Sequence, residues 1–125
     1  MITGGAALNG GAVYVNDGAK FNMNGGTIED CTAHRYGGGV DNYETFIMSG
    51  DAKITGCKAI LCGGGGIEND HGDFEMSGSA QVTGCTADYA GGILYDGDDG
   101  GTFTIGGSAQ ITGNTNTDGT PDNLC

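Results

Sequence analysis

Apolar side chains alternate with polar ones in short stretches along the whole chain. Residues 13–15 (VYV) and 21–23 (FNM) are representative, and similar stretches recur to the end of the sequence. A period of two residues predicts β-strands, and the Gly, Asn, Asp and Ser clusters between the stretches predict turns. No segment has a sustained apolar period of 3.6 residues, so we expect no helix. The pattern therefore predicts an all-β chain of short strands.

Three landmarks in these stretches recur after 25–29 residues. They are an apolar residue after a glycine pair, a Phe-x-Met motif, and the apolar residue that opens an "ITG"-like motif. In that order, their leading residues are Val13, Val40, Ile67 and Ile93; Phe21, Phe46, Phe74 and Phe103; and Ile2, Ile28, Ile54, Val82 and Ile111. Such repeats stack because one coil cannot bury its inward side chains alone. We therefore expect one domain, residues 1–125, that forms a single-stranded, right-handed parallel β-helix of about four coils with three strands each.

Strand alternation predicts which side chains face the core of this β-helix. The phenylalanines and the Met23, Met48, Met76 and Ile105 column fall inside by alternation alone, so we interpret them as core rather than as a ligand-binding stripe. Asn42 and Asn69 lie two residues after the valine column. We expect their amides to form a hydrogen-bonded ladder between coils.

Composition narrows the range of partners. The chain has 28 Gly and a formal net charge of −12, with only four Lys and Arg. Nucleic acids and anionic membranes select basic surfaces, so we expect neither as a partner. A cation, a basic protein surface or a neutral glycan is compatible with this charge. No apolar run is long enough to span a membrane, and the opening "MITGG" repeats text found within the later coils, so we expect a fragment of a longer protein.

The motifs resemble those of a known class of surface proteins. "GGAV" at residues 10–13 and "FNMN" at residues 21–24 are similar to the GGA(I/L/V) and FxxN repeats of chlamydial polymorphic outer-membrane adhesins, although "FIMS", "FEMS" and "FTIG" lose the Asn. The wider repeat resembles adhesin-like right-handed β-helix repeats of bacterial surface proteins. The resemblance implies an extracellular or cell-surface scaffold whose partner is a host or bacterial surface protein or a glycan. It carries over no catalytic residue.

A column of cysteines recurs with the coil. Cys31, Cys57 and Cys85 each stand three residues after the apolar residue that opens the "ITG"-like motif, and Asn114 takes this place in the last coil. Ligands spaced by a whole coil do not converge on one metal ion. A disulfide between neighbouring coils stays open as an alternative, but we favour buried free thiols that act as small hydrophobic groups. Cys62, on a turn before "GGGG", is expected to be the exposed thiol.

Carboxylates occupy the outward positions of the first strand and its turn. Asp41 and Glu68 are stacked copies, as are Asp70 and Asp96, with Asp98 in the following loop. A solvated acidic face is one interpretation. A Ca²⁺ site formed by Asp70, Asp96 and Asp98 is the other, because stacked like charges repel and oxygen ligands suit Ca²⁺.

Two function classes follow from this acidic face. We expect a non-catalytic structural or adhesive module, with no cofactor beyond possible Ca²⁺ and with coil ends open to end-to-end self-association. The alternative is a carbohydrate-active or glycan-binding module. β-Helical pectate lyases and polygalacturonases resemble the chain in architecture only, although Asp96, Asp98, Asp99 and His71 form a conceivable acid/base set.

Overall fold

A computed structural model of the chain describes residues 1–97 and 100–125. Within these residues the chain forms short strands joined by turns, without a helix. None of these residues therefore belongs to a helix that could cross a membrane. The strands are β1 (Ile2–Thr3), β2 (Ala6–Asn9), β3 (Val13–Val15), β4 (Lys20–Met23), β5 (Thr27–Glu29), β6 (Thr32–Tyr36), β7 (Val40–Asn42), β8 (Thr45–Met48), β9 (Lys53–Thr55), β10 (Lys58–Ala59), β11 (Ile67–Asp70), β12 (Asp73–Met76), β13 (Gln81–Thr83), β14 (Thr86–Ala87), β15 (Ile93–Asp96), β16 (Thr102–Ile105), β17 (Gln110–Thr112) and β18 (Thr115–Asn116).

Every fourth strand belongs to the same parallel sheet. Sheet A has the order β1-β5-β9-β13-β17, sheet B β2-β6-β10-β14-β18, sheet C β3-β7-β11-β15 and sheet D β4-β8-β12-β16. Equivalent repeat residues pair across coils: Phe46 lies opposite Phe21 and Phe74. The fold is therefore a parallel β-solenoid of about four coils, as the repeat predicted.

The prediction of three strands per coil was wrong, because sheet B supplies a fourth. In the middle coils its strands are only the dipeptides Lys58–Ala59 and Thr86–Ala87. A dipeptide is too short to show an alternating pattern, so the sequence carries no strand signal there. Sheet B follows the cysteine turn directly and completes the wall between sheets A and C.

Stacked side chains fill the interior in columns. The four Phe rings stack with centroid separations of 5.2, 5.0 and 5.1 Å along the column. Phe46 and Phe74, in the middle coils, are fully buried, whereas Ile2 and Ile105, in the end coils, are exposed. The predicted core is thus confirmed, and its ends are open because the terminal coils lack a neighbour on one side.

The predicted amide ladder is present. The Asn42 Nδ2 atom donates to Asn69 Oδ1 at 2.6 Å, and Asn69 Nδ2 donates to the Gly72 carbonyl oxygen at 2.8 Å. Both asparagines are fully buried. Buried amides are stable only when their hydrogen bonds are made, and here each coil satisfies its neighbour.

Close backbone contact between coils explains the recurring glycine pairs. A Cβ atom on Gly38 would collide with the carbonyl oxygens of Gly65 and Lys58. The chain therefore enters sheet C through a turn that only glycine fits. The C-terminal residues add to the same sheet: Leu124 bridges to Ile93, and the Tyr95 N–H donates to the Cys125 carbonyl oxygen at 2.9 Å.

Candidate functional site: a tyrosine and carboxyl groove on sheet C

Sheet C carries a column of outward side chains that changes character along the solenoid. Tyr14, Asp41, Glu68 and Leu94 are successive register partners on β3, β7, β11 and β15. Asp70 on β11 pairs in the same way with Asp96 on β15. The predicted stacking of both acidic pairs is therefore confirmed.

The expectation that this acidic face is solvated was wrong for its two central residues. Asp41 is 0% exposed and Glu68 is 5% exposed, although both side chains point outward from the sheet. Burial raises the pKa values of Tyr14 and Tyr43, and the charge of Asp41 raises both further. Tyr14 is the register partner of Asp41, and its ring contacts the Tyr43 ring, so an aromatic pair stands beside Asp41.

An open groove of about 670 Å³ runs over the later coils of this face. Tyrosines stand on both sides of sheet C: some precede its strands along the chain and others follow or end them. The groove is lined by Tyr36 and Tyr89 on the first side, Tyr43, Tyr95, Asp70 and Asp96 on the second, and Glu68, Leu94, Gly97 and Cys125 between and beside them.

Ring contacts and a hydrogen bond hold the second side in place. The Tyr43 ring lies 5.5 Å from Tyr14 and 6.2 Å from His71 between centroids. The His71 Nδ1 atom contacts Asp70 Oδ1, and the Tyr95 hydroxyl donates to the Gly101 carbonyl oxygen at 2.7 Å. Packing of this kind preorganises aromatic surfaces for a ligand.

Three buried carboxyl oxygens of this column have no hydrogen-bond partner among the described residues. Within the part of the chain that the structure describes, neither Asp41 oxygen accepts a hydrogen bond, and Glu68 Oε2 accepts none. Burial, followed by repulsion from Asp70, raises the pKa of Asp41 to about 7. Burial, followed by repulsion from Asp41, Asp70 and Asp96, raises the pKa of Glu68 to about 9. At neutral pH the Glu68 carboxyl therefore keeps its proton.

The residues predicted to bind Ca²⁺ are only partly brought together. Asp70 and Asp96 are register partners, but Asp98 lies outside the described residues, as does Asp99 of the conceivable acid/base set. His71 of that set contacts Asp70. Among the described residues, no group of three or more His, Cys, Asp or Glu side chains is placed to hold a metal ion. The Ca²⁺ site stays a prediction that needs Asp98.

The cysteine column is buried and unbridged, as expected. Cys31, Cys57 and Cys85 are free thiols, and burial is the main cause that raises the pKa of Cys31. The Sγ atom of Cys85 donates to the Thr83 carbonyl oxygen at 3.4 Å, and the other two thiols donate in the same way. A thiol whose pKa is raised by burial, as at Cys31, is a poor nucleophile.

The expectation for Cys62 was only half right. Cys62 is half-buried, whereas Cys125 is the exposed thiol. The reason is that the C-terminal residues pair with β15 at the open end of sheet C, where no further coil covers Cys125.

The tyrosines are the functional residues that the sequence analysis missed. Four of the five tyrosines lie on or beside the acidic column, and Tyr95, which continues the inward column of Asn42 and Asn69, also lines the groove. A signal was present, because Tyr36 and Tyr89 come just before a glycine pair and Tyr43 just after β7. Placing aromatic residues on the coil, rather than only on the repeat landmarks, would have found the groove.

Comparison with known proteins adds no relative. No protein-family model, curated protein or solved structure matches the chain. The β-solenoid expected from the adhesin-like motifs is present, while the relationship to adhesins stays a hypothesis. Fold and groove geometry therefore carry the functional argument.

Proposed function

We propose that the chain is a non-catalytic glycan-binding module whose binding site is the groove on sheet C. The observation that supports this most directly is the pairing of tyrosine walls with carboxyl groups in one open groove of about 670 Å³. Aromatic faces stack on the C–H faces of sugar rings, and a few polar groups between them select hydroxyl or amine positions. A regular solenoid supplies the rigid base that such a site needs.

A glycan array tests the proposal. We expect Tyr36→Ala and Tyr89→Ala each to weaken binding by roughly tenfold, since a stacked aromatic ring is a typical hot spot. Leu8→Ala is the control, because Leu8 is a large exposed side chain (55%) on β2 that does not line the groove. An array without any bound glycan, or equal loss in the control, would refute this function.

The proposal places the chain in an adhesive, extracellular setting. Glycans and the proteins that carry them are surface components, so the module would act at a cell surface or in a secreted protein. The motif resemblance to adhesin-like repeats supports the same location. Detection of the native protein on intact cells by surface labelling, with no signal after protease shaving, is the expected result.

End-to-end self-association is a second role that the open coil ends support. β1 and β4 are edge strands of sheets A and D, with one side unpaired. Exposed edges pair readily with other strands. We expect the apparent mass in sedimentation velocity to grow with concentration; a constant monomer mass would exclude this role.

A further inference from the structure

The buried carboxyl groups of sheet C point to the chemistry of the ligand. Asp41 and Glu68 are more than nine-tenths buried, and Glu68 lines the groove. Among the described residues, Glu68 Oε2 and both Asp41 oxygens lack a hydrogen-bond partner. Buried polar atoms without partners are rare in folded proteins, so Glu68, which lines the groove, calls for a donor that the described residues do not supply.

The chain does not supply a positive charge to this face. Its four basic residues are Lys20, Arg35, Lys53 and Lys58, which belong to sheets D, B, A and B. The His71 Nδ1 atom contacts Asp70 rather than Glu68 or Asp41. A ligand that carries both a positive charge and N–H donors would complement the pair better than a neutral one.

The aromatic walls restrict the shape of such a ligand. Tyr36 and Tyr89 stand on one side of Glu68, and Tyr43 stands on the other. Aromatic faces attract cations and also pack on flat, C–H-rich surfaces. A sugar ring with an amino group on its edge offers both features at once: its faces meet the tyrosines, and its ammonium group meets the carboxyl groups.

We propose that the groove recognises glycans with free amino groups, with a sugar amine that takes up the Glu68 proton on binding and is held there as an ammonium group, supported by Asp41 from the preceding coil. This inference rests on the proposed glycan-binding function and adds the ligand class to it. The strong negative charge of the chain, −12, steers such polycationic glycans toward it from a distance.

A pair of probes that differ only in acetylation tests the inference. Isothermal titration calorimetry of the full chain compares a hexamer of β-1,4-linked glucosamine with the N-acetylglucosamine hexamer, at physiological ionic strength and at neutral pH, where the Glu68 carboxyl can pass its proton to an uncharged sugar amine. We expect the amine form to bind roughly tenfold more tightly or better, as close charge pairs do in other interfaces.

Charge-matched variants separate specific recognition from general attraction. Glu68→Gln should remove most of the preference for the amine form while leaving the neutral hexamer bound within about threefold. Glu75→Gln removes an exposed carboxylate of sheet D and should leave the preference unchanged. Circular dichroism of both variants, compared with the parent, confirms that the fold is intact before binding is compared.

Each outcome bears on one proposal. Equal or tighter binding of the N-acetylated hexamer overturns amine recognition but keeps the glycan-binding function. Binding of neither hexamer, together with an empty glycan array, overturns both. The Glu68 and Glu75 variants could lose the preference equally, or a lysine trimer could bind as tightly as the glucosamine hexamer. Either result shows that the site attracts cations without recognising an amino sugar, and overturns the inference.

Discussion

Replacing Glu68 with Gln tests whether the folded protein holds this carboxyl group protonated. The pKa of Glu68 rises from 4.5 to about 9, first through burial and then through repulsion by Asp41, Asp70 and Asp96. Between these two pH values the folded state therefore binds more protons than the unfolded state does. The sign of the linkage follows: the free energy of unfolding is unaffected below the unfolded pKa and decreases as pH rises toward the folded pKa.

The size of this effect can be worked out from the same shift. Each unit of difference between the folded and unfolded pKa corresponds to about 1.4 kcal/mol, so ionisable Glu68 costs roughly 3 kcal/mol at neutral pH and on the order of 6 kcal/mol once it is fully ionised. Typical domains have only about 5–15 kcal/mol in total. The neutral amide of E68Q has the same shape and no such cost.

Urea denaturation from about pH 5 to about pH 8 provides the assay. We expect the parent chain to lose stability across this range and the E68Q variant to lose less, so that the variant is the more stable protein at the upper end. E75Q changes an exposed glutamate of the same type and should follow the parent curve. Equal slopes for E68Q and the parent, or a less stable E68Q at the upper end, would contradict a buried protonated Glu68.

Three further predictions concern a buried hydrogen bond in the last coil, the thiols and the predicted calcium site. Asn114→Ala leaves the buried Cys85 N–H, 2.9 Å from Asn114 Oδ1, without its acceptor, and should lower the free energy of unfolding by about 1–3 kcal/mol in urea titrations. A thiol reagent should label Cys62 and Cys125 in the native protein and all five cysteines after unfolding without reductant; fewer than five would reveal a bridge. Millimolar Ca²⁺ should raise Tm, and Asp96→Asn should abolish the rise, if the predicted calcium site forms.

Much of the fold follows from local pattern. Alternation in residues 21–23 and their copies placed Phe46 and Phe74 inside, and the recurrence of Asn42 as Asn69 predicted the amide ladder. These inferences hold because a parallel solenoid repeats the same environment at each coil, so one unit of sequence describes its neighbours. Sheet B was not predicted because its shortest strands have two residues, which is a single period of the alternation.

The sequence by itself determined which residues stack and which side of the strand each one leaves. It placed Asp41 beside Glu68 on the outer side of sheet C, and the structure agrees. The burial of Asp41 and Glu68 depended instead on tertiary packing, in which Tyr36, Tyr43 and Tyr89 line the groove beside Glu68. Strand alternation specifies whether a side chain points inward or outward, but it does not specify which other residues cover an outward side chain. Coil stacking brings these distant side chains together beside the acidic column, and its outer side becomes a groove with buried oxygens that have no partner in the described part of the chain.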